Sequence, residues 1–333
     1  EMKILITGMT NLQSGAIARR RLDYISTPMI LVEALKECGH KVDWRPIRWG
    51  ESLSKYDLVM LGLSSTTSVS CIRTFHALWA TKYKHLLFVN DWKVRGAYQQ
   101  LKLKCMYKPY FWKRTTSYYT PEEVKWFKKN KNKIDECIES IKSSKTIFAP
   151  LFNWGDSSIL LKGTEWKEVL SYDPTPFYLD KDKLQPVKVN GRKKAWVCGA
   201  LYDYTKQLDK WGLKWPIVNH TSKSYISEQE LIEKYKTHLG VISPHYYNAG
   251  SGWFRFRFLH AIQANALLRA DSREVENLGM PYSRMENIEH KDNSVLRRWI
   301  KDQREFFLDK VNSRKIELKK LKETIENAYC EQV

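Results

Sequence analysis

Asp91 stands just past the apolar run Leu86–Leu87–Phe88–Val89, at the end of the segment Tyr83–Lys84–His85–Leu86–Leu87–Phe88–Val89–Asn90–Asp91. The run reads as a buried strand. A carboxylate beyond its carboxyl end is placed to take a proton from a bound group. In open α/β sheets, ligands sit in the crevice outside the carboxyl ends of the strands. The chain after Asp91 is rich in cations: Lys93, Arg95, Lys102, Lys104, Lys108, Lys113, Arg114, Lys125, Lys128, Lys129, Lys131 and Lys133. Tyrosines, Phe111 and Trp112 lie among them. Cations track a phosphate backbone, and rings stack on or wedge between bases. The plainer reading is a solvated face over buried rings. Arg19–Arg20–Arg21 follows the first strand and is expected to face the same crevice. A base beside a polyanion-binding surface points to chemistry on nucleic acid.

A second set of residues suits a phosphorylated small molecule. Gly199 ends the run Lys194–Ala195–Trp196–Val197–Cys198. A glycine just after a strand lets the backbone approach a phosphate closely. Lys206 follows seven residues later and could neutralise a pyrophosphate. Neither a complete GxGxxG nor a GxxxxGK[ST] is present, so an ordinary strand–loop turn is the competing reading. Further on, a Gly/Ser loop opens a helix carrying Arg255, Arg257 and His260. Such an N-terminus offers free N–H groups and partial positive charge. Arg257 and His260 are three apart and share a face. Arg can grip a phosphate through two hydrogen bonds. His260 reads equally as a donor contact or as a buried histidine with its hydrogen bonds met.

The elements that must position these residues alternate between strand and helix. Lys3–Ile4–Leu5–Ile6–Thr7–Gly8 is the first strand, and a helix from Thr27 stops at Gly39. Lys41–Val42–Asp43–Trp44, Asp57 to Gly62 and Leu86 to Val89 are further strands, with a helix over 70–83. A helix starts at Pro121, and Thr146–Ile147–Phe148–Ala149–Pro150 is a short strand. Residues 160–192, rich in Pro, Asp and Lys, read as a connection between domains. The pattern then restarts with strands at 194–199, 239–244 and 266–271, and helices at 227–237 and 254–263. One or two helices with strong Lys/Glu content fill 294–328. This alternation predicts parallel sheets with crossover helices.

The 333 residues suffice for two domains, and a net charge of +19 favours a polyanionic partner. The six cysteines form no CxxC pair, which argues against a zinc site or a disulfide framework. No apolar run reaches membrane-spanning length and no signal peptide is read, so a soluble intracellular protein without a membrane partner is expected.

On these residues the chain resembles the GT-B glycosyltransferases, and most of all the bacteriophage DNA β-glucosyltransferases that modify 5-hydroxymethylcytosine. The likeness rests on four places. They are Met2–Lys3–Ile4–Leu5–Ile6 with Gly39–His40–Lys41–Val42–Asp43; Lys82 through Asp91; Cys198–Gly199–Ala200 with Lys206; and Arg257 through Asp271. The resemblance implies two Rossmann-like α/β domains with parallel sheets facing a deep central cleft. It assigns acceptor DNA to residues 1–190, a nucleotide sugar to 191–300, and terminal helices to 301–333. Asp91 becomes the catalytic base. Gly199, Lys206, Arg257 and His260 become donor-binding residues, and Arg19, Arg20, Arg21, Lys93, Arg95, Lys102, Lys104, Lys113 and Arg114 bind DNA. The family has Arg where Lys206 stands and Glu where His260 stands. A carboxylate can accept two ribose hydroxyls, whereas a histidine offers one acceptor. The donor therefore stays open between UDP-glucose and UDP-arabinose, both used by related phages. The implied partner is double-stranded DNA with a modified cytosine, met by a monomer in the host cytoplasm. Mg²⁺ or Mn²⁺ is an admissible helper, although the sequence has no carboxylate cluster to hold one. Two alternatives stand beside this reading: a GT-B enzyme with a non-DNA acceptor, and a non-enzymatic basic DNA-binding protein.

Overall fold

The computed structural model describes residues 1–7, 27–45, 47–62, 76, 85–88, 120–143, 146–150, 161, 163–198, 208, 211–219, 228–243, 256–270, 279–281 and 288–330. The first sheet contains β1 (Lys3–Thr7), β2 (Lys41–Trp44), β3 (Leu58–Gly62), β4 (His85–Phe88), β5 (Thr146–Pro150) and β6 (Glu168–Tyr172), in the order β2-β1-β3-β4-β5-β6. All its pairings are parallel, with Ile4 opposite both Val42 and Leu58. Strands with so many Ile, Leu and Val residues need cover on both faces. On one face Ile4 and Ile6 pack with Leu31 and Leu35 of helix α1 (Thr27–Glu37). On the other, Leu5 meets Ile47, Leu53, Tyr56 and Val59. Helix α1 ends as the sequence predicts. Gly39 takes φ +90°, His40 N–H donates to Leu35 and Gly39 N–H donates to Lys36, so the last carbonyls are satisfied.

Two helices, α2 (Pro121–Lys129) and α3 (Lys131–Ser143), precede β5. Thr120 and Glu123 form a reciprocal capping box at the start of α2, with Pro121 in the first turn. The expected connection over 160–192 is not all connection, because it contains β6, the sixth strand of the sheet. The helix expected over 70–83 lies outside the described residues, except for His76.

After β6 come α4 (Thr175–Tyr178) and a 3-10 turn at Lys181–Lys183. The second sheet holds β7 (Lys193–Cys198), β8 (Ile217–Asn219), β9 (His238–Ser243) and β10 (Leu267–Ala270), parallel in the order β10-β9-β7-β8. Helix α5 (Glu228–Lys236) leads into β9, and α6 (Phe256–Gln263) leads into β10. The core centres on Trp196, whose indole N–H donates to Glu289 at 3.0 Å. Position 240 must be glycine, because a Cβ there would sit 2.2 Å from the Trp196 ring. Arg192 reaches under the sheet and donates to the backbone oxygens of Asn265, Tyr235 (2.7 Å) and Ala264 (3.4 Å).

Helix α7 (Asn293–Val311) covers the second sheet through Leu296 and Ile300. Its Gln303 holds the edge strand β10 by accepting from Leu268 N–H and donating to Leu268 C=O, both at 2.9 Å. That satisfies the outward backbone groups of Leu268 on an edge strand. Helix α8 (Arg314–Cys330) then returns to the first sheet, where Leu321, Ile325 and Ala328 join Ile4 and Leu31. The boundary expected between residues 300 and 301 therefore falls inside the continuous helix α7. The chain passes between the sheets twice, after β6 and between α7 and α8.

Candidate active site

Parallel strands give each sheet a single carboxyl edge. At the first sheet, β4 ends at Phe88, and Asp91 comes three residues later, outside the described residues. Arg19, Arg20, Arg21, Lys93, Arg95, Lys102, Lys104, Lys113 and Arg114 also lie outside them, as do Gly199 and Lys206. Of the basic stretch, the structure describes the part on α2 and α3. Lys125, Lys128, Lys129 and Lys131 are exposed there, while Phe127, Ile134 and Ile138 form a buried stripe. Trp126 packs edge-on against His76 (4.9 Å) and Trp49 (5.7 Å). Burial, and then the charge of Lys133, lower the pKa of His76. In this part of the stretch Lys125, Lys128, Lys129 and Lys131 face solvent, Lys133 is half-buried, and Phe127 faces the core.

Arg257 and His260 are both described, on α6. The helix ends where Asn265 takes φ 50°, with Ala266 N–H donating to Ala261 and Asn265 N–H to Ile262. It then feeds β10 at its amino end, so the start of α6 points to the carboxyl edge. Arg257, half-buried, sits in that first turn. There it combines a fixed positive charge with the N–H groups of a helix N-terminus, an arrangement suited to an anion.

His260 lies one turn deeper and is only 5% exposed. Its Nε2 is 2.7 Å from Glu228 Oε1, and Glu228, the first residue of α5, is 6% exposed. The Tyr178 hydroxyl, from α4, lies 2.6 Å from the same carboxylate oxygen and 3.1 Å from Gln263 Oε1. One hydroxyl proton serves one acceptor at a time, and the shorter, charge-assisted contact is the stronger. Burial, and then the Glu228 carboxylate, push the Tyr178 hydroxyl far above the usual phenol range, so it remains a donor. The sequence reading of His260 as a donor contact thus meets a buried side chain already held by a carboxylate. Glu228 and Tyr178 were absent from that reading. Among the described residues, no three His, Cys, Asp or Glu side chains are grouped to hold a metal ion. Nor is any helix there long and apolar enough to cross a membrane.

No protein-family model matches the chain, and no curated protein matches its sequence. Solved structures do match. The DNA-modifying enzyme β-glucosyltransferase, determined with and without uridine diphosphoglucose, superposes with a TM-score of 0.58 over 98% of this chain and 99% of that one, at 11% identity. The T4 phage enzyme with UDP and Mn²⁺ gives 0.59 over the same shares at 13% identity. A T4 phage mutant with UDP-glucose gives 0.62 over 97% and 99%, again at 13% identity. The chain has the GT-B fold. In a GT-B frame the start of α6, with Arg257, belongs to the second of the two Rossmann-like units. Asp91 follows the fourth strand of the first.

Proposed function

We propose that this chain is a DNA glycosyltransferase that moves a sugar from a UDP-sugar to the hydroxyl of a modified cytosine such as 5-hydroxymethylcytosine. The support is the end-to-end likeness to a DNA-modifying β-glucosyltransferase, reaching 97–98% of this chain and 99% of the other. The net charge of +19 fits a polyanionic acceptor, and Arg257 at the start of α6 fits a diphosphate.

In this reading the acceptor base leaves the duplex, because its hydroxyl cannot be reached inside the stack. Asp91 takes the hydroxyl proton. The oxygen bonds to the anomeric carbon as the bond from that carbon to the diphosphate breaks, which inverts the centre. Arg257 and Lys206, with the backbone at Gly199, stabilise the charge gathering on the departing UDP. Contact with the donor falls to Arg257, while His260 holds α6 in place. Arg19, Arg20, Arg21, Lys93, Arg95, Lys102, Lys104, Lys113 and Arg114 hold the DNA backbone. The sugar is glucose or arabinose. A divalent ion would supply further neutralisation of the diphosphate. Among the described residues, no group of His, Cys, Asp and Glu fits one.

The test is to incubate the protein with 5-hydroxymethylcytosine DNA and a panel of UDP-sugars, then weigh the digested nucleosides by mass spectrometry. A hexose or pentose increment is expected. No increment with any donor, despite tight DNA binding, would point to another modified base or to the non-enzymatic reading. Asp91→Asn should lower transfer by about a thousandfold while leaving DNA affinity within about twofold. Unchanged transfer in that variant would remove Asp91 from the mechanism.

A further inference from the structure

We propose that Glu228 is a positioning residue for the nucleotide donor: it grips His260 and so fixes helix α6, with Arg257, against Tyr178 of the segment joining the two sheets. The inference rests on the donor site proposed above. Three observations carry it.

First, the contacts converge on one atom. Glu228 Oε1 lies 2.7 Å from His260 Nε2 and 2.6 Å from the Tyr178 hydroxyl. Those partners come from α6 and α4, so one carboxylate ties three elements together. Tyr178 also packs edge-on against the His260 ring, with centroids 5.8 Å apart. Second, the position is on the ligand side. Helix α5 runs into the amino end of β9, so its first residue, Glu228, lies toward the carboxyl edge of the sheet. His260 is one turn from Arg257 on α6. Third, the choice of residues is costly for stability alone. Taking a carboxylate and an imidazole to 6% and 5% exposure loses hydration that apolar residues of similar volume would never need. What the polar trio adds is direction. Two short hydrogen bonds allow α6 one rotation and one depth, whereas a greasy contact allows several. A guanidinium that must meet a diphosphate in a fixed geometry depends on that rotation.

The experiment is a double-mutant cycle read by UDP binding in titration calorimetry, with the full chain and thermal unfolding run alongside. Glu228→Gln keeps the shape of the side chain and removes its charge. It should weaken UDP about tenfold, and Arg257→Ala about a hundredfold. The two together should weaken UDP about a hundredfold and not a thousandfold, because Glu228 acts through the residue already lost. Additive losses would overturn the proposal, as would UDP affinity unchanged in Glu228→Gln. If Glu228→Gln does not fold, Tyr178→Phe takes its place in the same cycle, with a smaller loss and the same non-additivity. A wild-type chain that binds no UDP would overturn the donor site and this inference together. Wild-type binding with an additive cycle overturns the inference alone.

Discussion

Helices α5 and α6 are held at both ends, by different chemistry. At the amino edge of the sheet, Arg192 donates to the carbonyls of Tyr235, Ala264 and Asn265. Those oxygens belong to the backbone, so at Tyr235 and Ala264 they do not depend on side-chain type, while the φ of 50° at position 265 favours Asn or Gly. At the carboxyl edge the hold is between side chains, and it needs Glu228, His260 and Tyr178 by type. The first device depends on side-chain type less than the second does, since it grips backbone oxygens. The difference teaches where a fold keeps its tolerance and where it keeps its accuracy. The end away from the ligand is anchored through backbone, and the end beside it through particular side chains.

The sharpest way to break this comparison is at Arg192. Burial lowers its pKa to about 10, but it stays charged at neutral pH. Arg192→Ala should cost about 3 kcal/mol, because it removes the buried guanidinium from which three backbone carbonyls accept. Urea unfolding followed by tryptophan fluorescence would measure that. UDP affinity of the folded protein should stay within about twofold of wild type. A tenfold drop would show that the two ends are not separable. Gln303→Leu is the next in size. It strips both backbone groups of Leu268 at the sheet edge and should cost about 2 kcal/mol, again with UDP binding kept. Tyr178→Phe should give the opposite profile, about 1 kcal/mol of stability with a roughly threefold loss of UDP affinity.

The smallest effect concerns a second buried histidine. His40 and His260 are each 5% exposed, but their partners differ. His40 Nδ1 accepts from Met2 N–H at 3.3 Å, and its buried Nε2 has no partner among the described residues. Burial lowers its pKa, the Lys322 and N-terminal charges add to that, and Glu326 and Glu1 oppose it. The unfolded chain therefore binds the proton more readily than the folded one. Stability is full above the ordinary value of 6.5 and falls as the pH drops below it. Stability should fall between pH 7 and pH 5, and His40→Asn should flatten that part of the profile. A profile unchanged by His40→Asn would assign the slope elsewhere.

Local pattern carried most of the fold. The bounds of β2 and β5 match those read from the sequence, because each is a compact run with clear stops. Strand β6 was missed: Glu168–Val169–Leu170–Ser171–Tyr172 sits among Lys, Asp and Pro and has no clean alternation. Strand β8 is three residues long, too short for any period to show. The candidate site was legible only where function and helical spacing coincide, as for Arg257 and His260. Glu228 is 32 residues from His260, and Tyr178 is 50 from Glu228. Such pairs arise when separate elements pack, and periodicity within one helix carries no trace of them. Asp91, Gly199 and Lys206 lie outside the described residues and rest on sequence and the proposed chemistry.

The return of α8 to the first sheet sets an order of events during synthesis. Ile4 and Ile6 leave the ribosome long before Leu321, Ile325 and Ala328, which complete the core around them. The first sheet must wait, with part of an apolar face uncovered, until α8 has been made. Contacts between residues so distant in sequence slow folding and prolong the exposure of sticky surface. A ribosome that stalls before α8 would release a chain whose second sheet can close while its first cannot.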